Sequence, residues 1–161
     1  MTVLVSGCII NYKDKYLLLQ RSTGKTQSGK WGFPGGKQDE GESAKQAAIR
    51  ETHEETGYMI PDDEIKQVDF VHHEFDETDK VDYTVYWHEA DQMFVPEISP
   101  NEHSAYSWMS LEDIKTNDDI IDTLEEILER AILSNKGGDM SDSCEDCCGS
   151  AKDKTNSEGE E

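Results

Sequence analysis

The stretch that most constrains this chain runs from Gly36 to Tyr58, GKQDEGESAKQAAIRETHEETGY. Read as a helix over Ser43–Thr56, it places Glu51, Glu54 and Glu55 at i, i+3 and i+4, on one face. Ala44, Ala47 and Ala48 fall on the same side, one and two turns earlier. A face that is small and apolar at one end packs closely against its support, and that packing forces the glutamates at the other end together. Like charges at i,i+4 cost about 0.2–0.5 kcal/mol even on an exposed helix, and burial increases the cost. The cluster therefore calls for a cation, and hard carboxylate oxygens select Mg²⁺, Mn²⁺ or Ca²⁺ over a soft metal. Gly57 supplies a natural C-cap.

The segments around this helix read as strands and turns. Val3–Tyr12 and Tyr16–Gln20 (YLLLQ) are apolar strands joined by the polar turn Lys13-Asp14-Lys15. Cys8, inside the first, reads as a small core residue. A polar loop over Ser22–Lys30 leads into Trp31-Gly32-Phe33-Pro34-Gly35-Gly36, a stiff aromatic-glycine turn that delivers the chain to the helix. Ile65–Phe75 and Val81–Glu89 pair as a hairpin with its polar tip at Asp76–Lys80. Glu97–Trp108 is a loop leading to a short strand, Ala105–Met109, and Ser110–Asp113 starts a helix or a tight turn. Asp119–Leu133 carries an apolar stripe at helical spacing and should pack on the outer face of the sheet. Regular helices do not separate the strands, which argues against a doubly wound parallel sheet. The expected architecture is an α/β/α sandwich: a mixed central sheet, the glutamate helix on one face and the C-terminal helix on the other.

Charge narrows the partners. The 161 residues carry a formal net charge of −21, which repels duplex DNA and anionic membranes. A polyanionic substrate would need metal ions to be received. No apolar run approaches the ~20 residues of a membrane span, and the N-terminus lacks the basic region and cleavage site of a signal peptide, so a cytoplasmic, reducing setting is expected. Residues 134–161 hold eight acids and three lysines, with few apolar residues, the chemistry of disorder. The expected division is a folded domain over 1–135 and an acidic tail over 136–161. That tail contains Cys144, Cys147 and Cys148 but no histidine to complete a zinc site.

The order of fixed residues is Gly36, five residues, Glu42, seven residues, Arg50-Glu51, two residues, Glu54-Glu55, one residue, Gly57, Tyr58. This resembles the Nudix box, G-x5-E-x7-R-E-U-x-E-E-x-G-U with U a bulky apolar residue. Every fixed glycine, glutamate and arginine matches, while Thr52 and Tyr58 stand at U positions. The upstream run WGFPGGK is similar to that of many Nudix proteins. The resemblance implies the Nudix fold over roughly residues 1–135 and hydrolysis of a nucleoside diphosphate linked to another moiety, with Mg²⁺ or Mn²⁺. It makes Glu54 and Glu55 direct metal ligands, Glu51 a ligand or the base that activates water, and the Gly36 carbonyl a further ligand. Glu42 and Arg50 would form an ion pair holding loop and helix in register.

Further downstream, Glu102 followed by Trp108-Met109-Ser110-Leu111 resembles the end of MutT, the founding member, and makes Glu102 a candidate ligand outside the box. His103 beside it reads as a surface histidine. Asn117 resembles the place of a purine-reading asparagine, and serves equally well as a helix N-cap. Arg21 and Phe33 complete the candidate nucleotide contacts, although Phe33 and Trp31 would also suit ordinary core packing. Phe70–Phe75 lacks the proline and tyrosine that mark ADP-ribose and dinucleoside polyphosphate hydrolases. By elimination the chain looks closest to MutT-like nucleoside triphosphate pyrophosphatases. ADP-ribose, a nucleotide sugar, a dinucleoside polyphosphate or capped RNA are the alternative substrates. The rival from another class is a nucleotide-binding regulator that does not cleave.

Overall fold

A computed structural model describes residues 2–139, apart from Thr26 and Phe75. The chain forms β1 (Thr2–Tyr12), β2 (Lys15–Arg21), β3 (Trp31–Gly32), β4 (Gly35–Lys37), α1 (Ala44–Thr56), β5 (Lys66–Glu74), β6 (Lys80–Glu89), β7 (His103–Ser110), α2 (Leu111–Lys115) and α3 (Leu124–Asp139). It divides after Leu128 into two units, and α3 runs across the division. The site lies wholly in the first unit. Among the described residues no helix is long and apolar enough to cross a membrane.

β1 is the axis of the sheet. Along one edge it pairs in parallel with β6, from Thr2 opposite Lys80 to Asn11 opposite Glu89. Along the other it pairs with β4 at Val5–Gly7 and with β2 at Asn11–Tyr12, both antiparallel. β5 pairs with β6, and β3 and β7 pair with β2, all antiparallel. One parallel pair among antiparallel ones gives the expected mixed sheet.

Side-chain alternation divides the apolar residues between the two faces. Cys8 and Ile10 of β1, with Leu17 and Leu19 of β2 and Tyr86 of β6, pack with Ala48 of α1 and with Ile60. Ile9, Leu18 and Val85 are also fully buried, and alternation points them the other way. Ala47 and Ala48 are fully buried, so the small end of the α1 face does lie directly on its support.

The last helix departs from expectation. It begins at Leu124 rather than Asp119 and runs to Asp139. The reason is a competing backbone partner: Trp31 N–H donates to the Asp119 carbonyl at 2.8 Å, and Ile121 N–H donates to the Trp31 carbonyl at 3.0 Å. Residues 119–121 are thus held against β3, and Thr123, with φ of 71°, turns the chain before the helix starts. Asn117 is therefore not a helix N-cap; its side-chain oxygen accepts from Asp119 N–H at 2.8 Å in a local turn. The aromatic-glycine turn likewise contains two short strands, β3 and β4. The remainder of the expected tail, residues 140–161 with its three cysteines, lies outside the described residues.

Candidate functional site

The glutamate helix is fixed at both ends. Ser43 caps α1 by accepting from Gln46 N–H, and the Gln46 side chain accepts from Ser43 N–H in return. Gly57 closes it in the left-handed region, φ 76°, where a side chain would be strained. The two departures from apolar positions have different fates. Thr52 is fully buried, and its hydroxyl has no partner among the described residues. Tyr58 stacks on Phe94 with ring centroids 4.1 Å apart, and its hydroxyl bonds to His88 Nε2 at 2.8 Å.

Arg50 organises the exposed side of the helix. Its Nε and Nη2 grip the two oxygens of Glu42 at 2.7 and 3.0 Å, and Nη2 also reaches the Lys37 carbonyl at 3.0 Å. Its Nη1 donates to Glu51 at 3.2 Å and to Glu54 at 3.0 Å. The hydrogen bond from Arg50 holds the Glu42 carboxyl below the usual range. The loop carrying Glu42 is thereby tied to the middle of α1.

Glu51 and Glu55 point the other way, toward β4. A β-carbon on Gly36 would lie 2.5 Å from the Glu51 carboxylate, so only glycine lets that carboxylate rest on the strand. Gly35 N–H donates to Glu55 Oε1 at 2.9 Å. Burial pushes the Glu55 carboxyl up to about 8, with the charges of Glu51 and Glu102 adding to it. Burial raises Glu51 as well, and the charge of Glu54 adds to this. Glu54 is exposed.

Glu102 stands within electrostatic reach of Glu55 and forms an ion pair with Lys25, which lowers its carboxyl. The loops carrying these two residues are joined by Ser22, whose N–H donates to the Glu102 carbonyl at 3.0 Å and whose hydroxyl donates to the Pro100 carbonyl at 2.7 Å. His103 is buried, not on the surface: it is 5% exposed, and its Nδ1 has no partner among the described residues. β7 begins at His103, two residues earlier than expected, which carries the ring inward. Burial and the charge of Arg21 lower its pKa.

Among the described residues no three His, Cys, Asp or Glu already converge as a closed ligand set; Arg50 holds two of the candidate ligands. The donors still suit a hard dication. They are all oxygens, two are half-buried carboxylates that repel each other, and the glycine at position 36 leaves room for one of them on the backbone.

Beside this carboxylate edge lies a cavity of about 570 Å³. Val5, Phe33, Gly35, Val71, Val81 and Tyr83 line the side formed by the sheet and the turn before the box. Ile121, Asp122, Thr123, Leu124 and Ile127 line the other, and Gln27 and His73 complete the lining. The three expected nucleotide contacts are thus separated. Phe33 is in the cavity. The charge of Arg21 acts on Glu55, Glu102 and His103, so Arg21 belongs to the carboxylate edge. Asn117 is not among the cavity residues; Asp122 and Thr123, further along the same loop, are. Sequence reasoning missed Lys25, Tyr83, Gln27, His73 and Asp122. The only available signal was the alternation in VDYTVY, which sets Val81 and Tyr83 on one face without saying what that face meets.

The family model for the NUDIX domain matches residues 1–130. The chain belongs to the Nudix family. It is 33% identical to the Nudix hydrolase YvcI of Bacillus subtilis over 112 residues, 69% of this chain and 68% of that one. It is also 33% identical to the CTP pyrophosphohydrolase of Escherichia coli over 109 residues, 68% of this chain and 76% of that one. Among solved structures, the MutT protein of Methanosarcina mazei superposes with a TM-score of 0.70 at 31% identity, covering 84% of this chain and 96% of that one. This Nudix protein is therefore a hydrolase of phosphorus-containing anhydrides that acts on nucleotide derivatives, in a family that works with a divalent metal.

Proposed function

We propose that this chain is a cytoplasmic, MutT-like pyrophosphohydrolase that cleaves a nucleoside triphosphate to the monophosphate and pyrophosphate. The observation that carries this reading is the double role of Gly35, which lines the cavity and donates its N–H to Glu55. An apolar cavity of nucleoside size and a carboxylate edge thus share one residue. A base held against Phe33 leaves the phosphate chain at the glutamates. The E. coli relative is a CTP pyrophosphohydrolase, which agrees with a triphosphate substrate.

Glu51, Glu54, Glu55, Glu102 and the Gly36 carbonyl would hold the cation, Mg²⁺ or Mn²⁺, which when bound neutralises phosphate oxygens and makes a water more acidic. Arg50 keeps Glu51 and Glu54 in place and ties them to Glu42. Arg21 stands beside Glu55 and Glu102, where phosphate charge would gather. Water adds to one phosphorus, the bridging P–O bond breaks, and one of the glutamates takes the proton of the water. A surface of net charge −21 agrees with a small nucleotide as partner rather than duplex DNA or a membrane. The acidic tail beyond α3 stands outside the reaction.

The test is a chromatographic screen for nucleotide products with purified protein and Mg²⁺ across oxidised and ordinary nucleoside triphosphates, ADP-ribose, nucleotide sugars and dinucleoside polyphosphates, with Glu54→Gln as blank. A sharp preference for a triphosphate is expected. Preference for another class overturns the substrate, and nucleotide binding without turnover of any of them overturns the activity.

A further inference from the structure

Tyr83 sits opposite Val5 in the β1–β6 ladder, and its ring crosses the sheet toward Gly7. A β-carbon on Gly7 would lie 2.5 Å from the Tyr83 hydroxyl oxygen and 3.0 Å from the Pro34 carbonyl oxygen. The missing side chain at Gly7 is therefore what admits the hydroxyl. The Pro34 carbonyl already accepts from Cys8 N–H at 3.1 Å. The hydroxyl itself makes no hydrogen bond to any described residue. Burial pushes its pKa up, and the charge of Glu55 adds to the rise, so the phenol keeps its proton and stands within electrostatic reach of the box. A polar group so placed ordinarily finds a partner, and ligand cavities are mostly apolar with a few oriented donors.

We propose that Tyr83 is a substrate-binding residue whose hydroxyl donates to a sugar hydroxyl of the bound nucleotide. The position selects the sugar. Phe33, Val71, Val81 and Ile121 offer apolar walls to a base, the carboxylates with their cation take the phosphates, and the Tyr83 hydroxyl stands at the Gly7–Gly35 seam between them. The inference rests on the reading of the cavity as the nucleoside site.

The experiment is a cycle of protein and substrate changes. Wild type and Tyr83→Phe are compared on the preferred nucleoside triphosphate and on analogues lacking the 2′- or the 3′-hydroxyl. A neutral hydrogen bond predicts a loss of about two- to tenfold in kcat/KM for Tyr83→Phe on the parent, mostly in KM. On the analogue lacking the bonded hydroxyl that loss disappears, because the two deletions remove the same interaction. An equal loss on all three substrates, or no loss at all, overturns the inference.

If Tyr83→Phe folds poorly, binding of the same substrates provides the second route. The same nucleotides are then measured as Kd on Glu54→Gln with Mg²⁺, which reads the sugar contact without turnover. Turnover surviving in Glu54→Gln would remove Glu54 from the ligand set, and binding without turnover in the wild type would sink the hydrolase reading, whereas a sugar-independent Tyr83→Phe effect sinks only the present one.

Discussion

The carboxylate edge and the cavity share Gly35 and are built on opposite principles. At the edge the carboxylates are tied together through one cation: Arg50 alone donates to Glu42, Glu51, Glu54 and the Lys37 carbonyl. The cavity walls are mostly apolar side chains, and the Tyr83 hydroxyl bonds to no described residue. Cross-bonded groups hold a geometry to within a narrow range, which bond-breaking requires. Apolar walls with spare donors accept any occupant of the right shape. The difference teaches that damage at the edge should appear in kcat, and damage in the cavity in KM.

The largest effect should come from the edge. Glu54→Gln keeps the shape of the side chain and removes the charge that a cation needs. We expect kcat to fall by ~10²–10³-fold, with the melting temperature and the nucleotide KM little changed. A folded variant that retains most of its turnover would remove Glu54 from the ligand set and collapse the contrast between the two regions.

The cavity supplies the counterpart. Phe33→Ala deletes the ring against which the proposed nucleotide base would stack, and loss of base–aromatic stacking is worth ~1–3 kcal/mol. Nucleotide KM should rise by about tenfold or more, with kcat retained. A change in kcat without KM would mean that Phe33 serves the edge instead of the cavity.

The third effect is on stability and concerns the edge alone. Burial raises the Glu55 carboxyl to about 8 and raises Glu51 too, whereas an unfolded chain titrates near ~4.3. Between these values the folded protein binds more protons than the unfolded one, so stability falls as pH rises through the window. In the presence of a chelator, the melting temperature should therefore drop between pH 5 and pH 8. Mg²⁺ should restore it at the upper end, because a cation replaces the proton. Glu55→Gln should flatten the slope; an unchanged slope would place the titrating group elsewhere.

The same contrast explains what could be read from the sequence. α1, its caps and the Arg50–Glu42 tie are set by residues within about four turns of one another, so spacing along the chain carries them. The start of α3 was not legible, because the backbone of Trp31, far away in sequence, captures residues 119–121. Tyr83 was hidden for a similar reason: its hydroxyl fits only where Gly7, on another strand, lacks a side chain. His103 read as a surface residue because nothing local shows β7 carrying it inward. The part of the edge from Gly36 to Gly57 is local in sequence and the cavity is assembled from separated segments, so the first was readable and the second was not.

The smallest effect should come from the acidic tail. Every residue that we place at the edge or in the cavity lies between Val5 and Ile127, and residues 140–161 contain none of them. Removing these residues deletes seven acids and two lysines, a net of −5, and takes the chain from −21 to −16. The polyanionic substrate then meets less repulsion, an effect that salt screens over about 8 Å at physiological ionic strength. A chain ending at Asp139 should show a small gain in kcat/KM at low salt, below about twofold at 0.15 M, with kcat unchanged throughout. Measuring kcat/KM against ionic strength for both lengths separates the alternatives. A loss that persists at high salt would mean that the tail supplies a contact to one of the two regions, and the region would be named by whether kcat or KM moved.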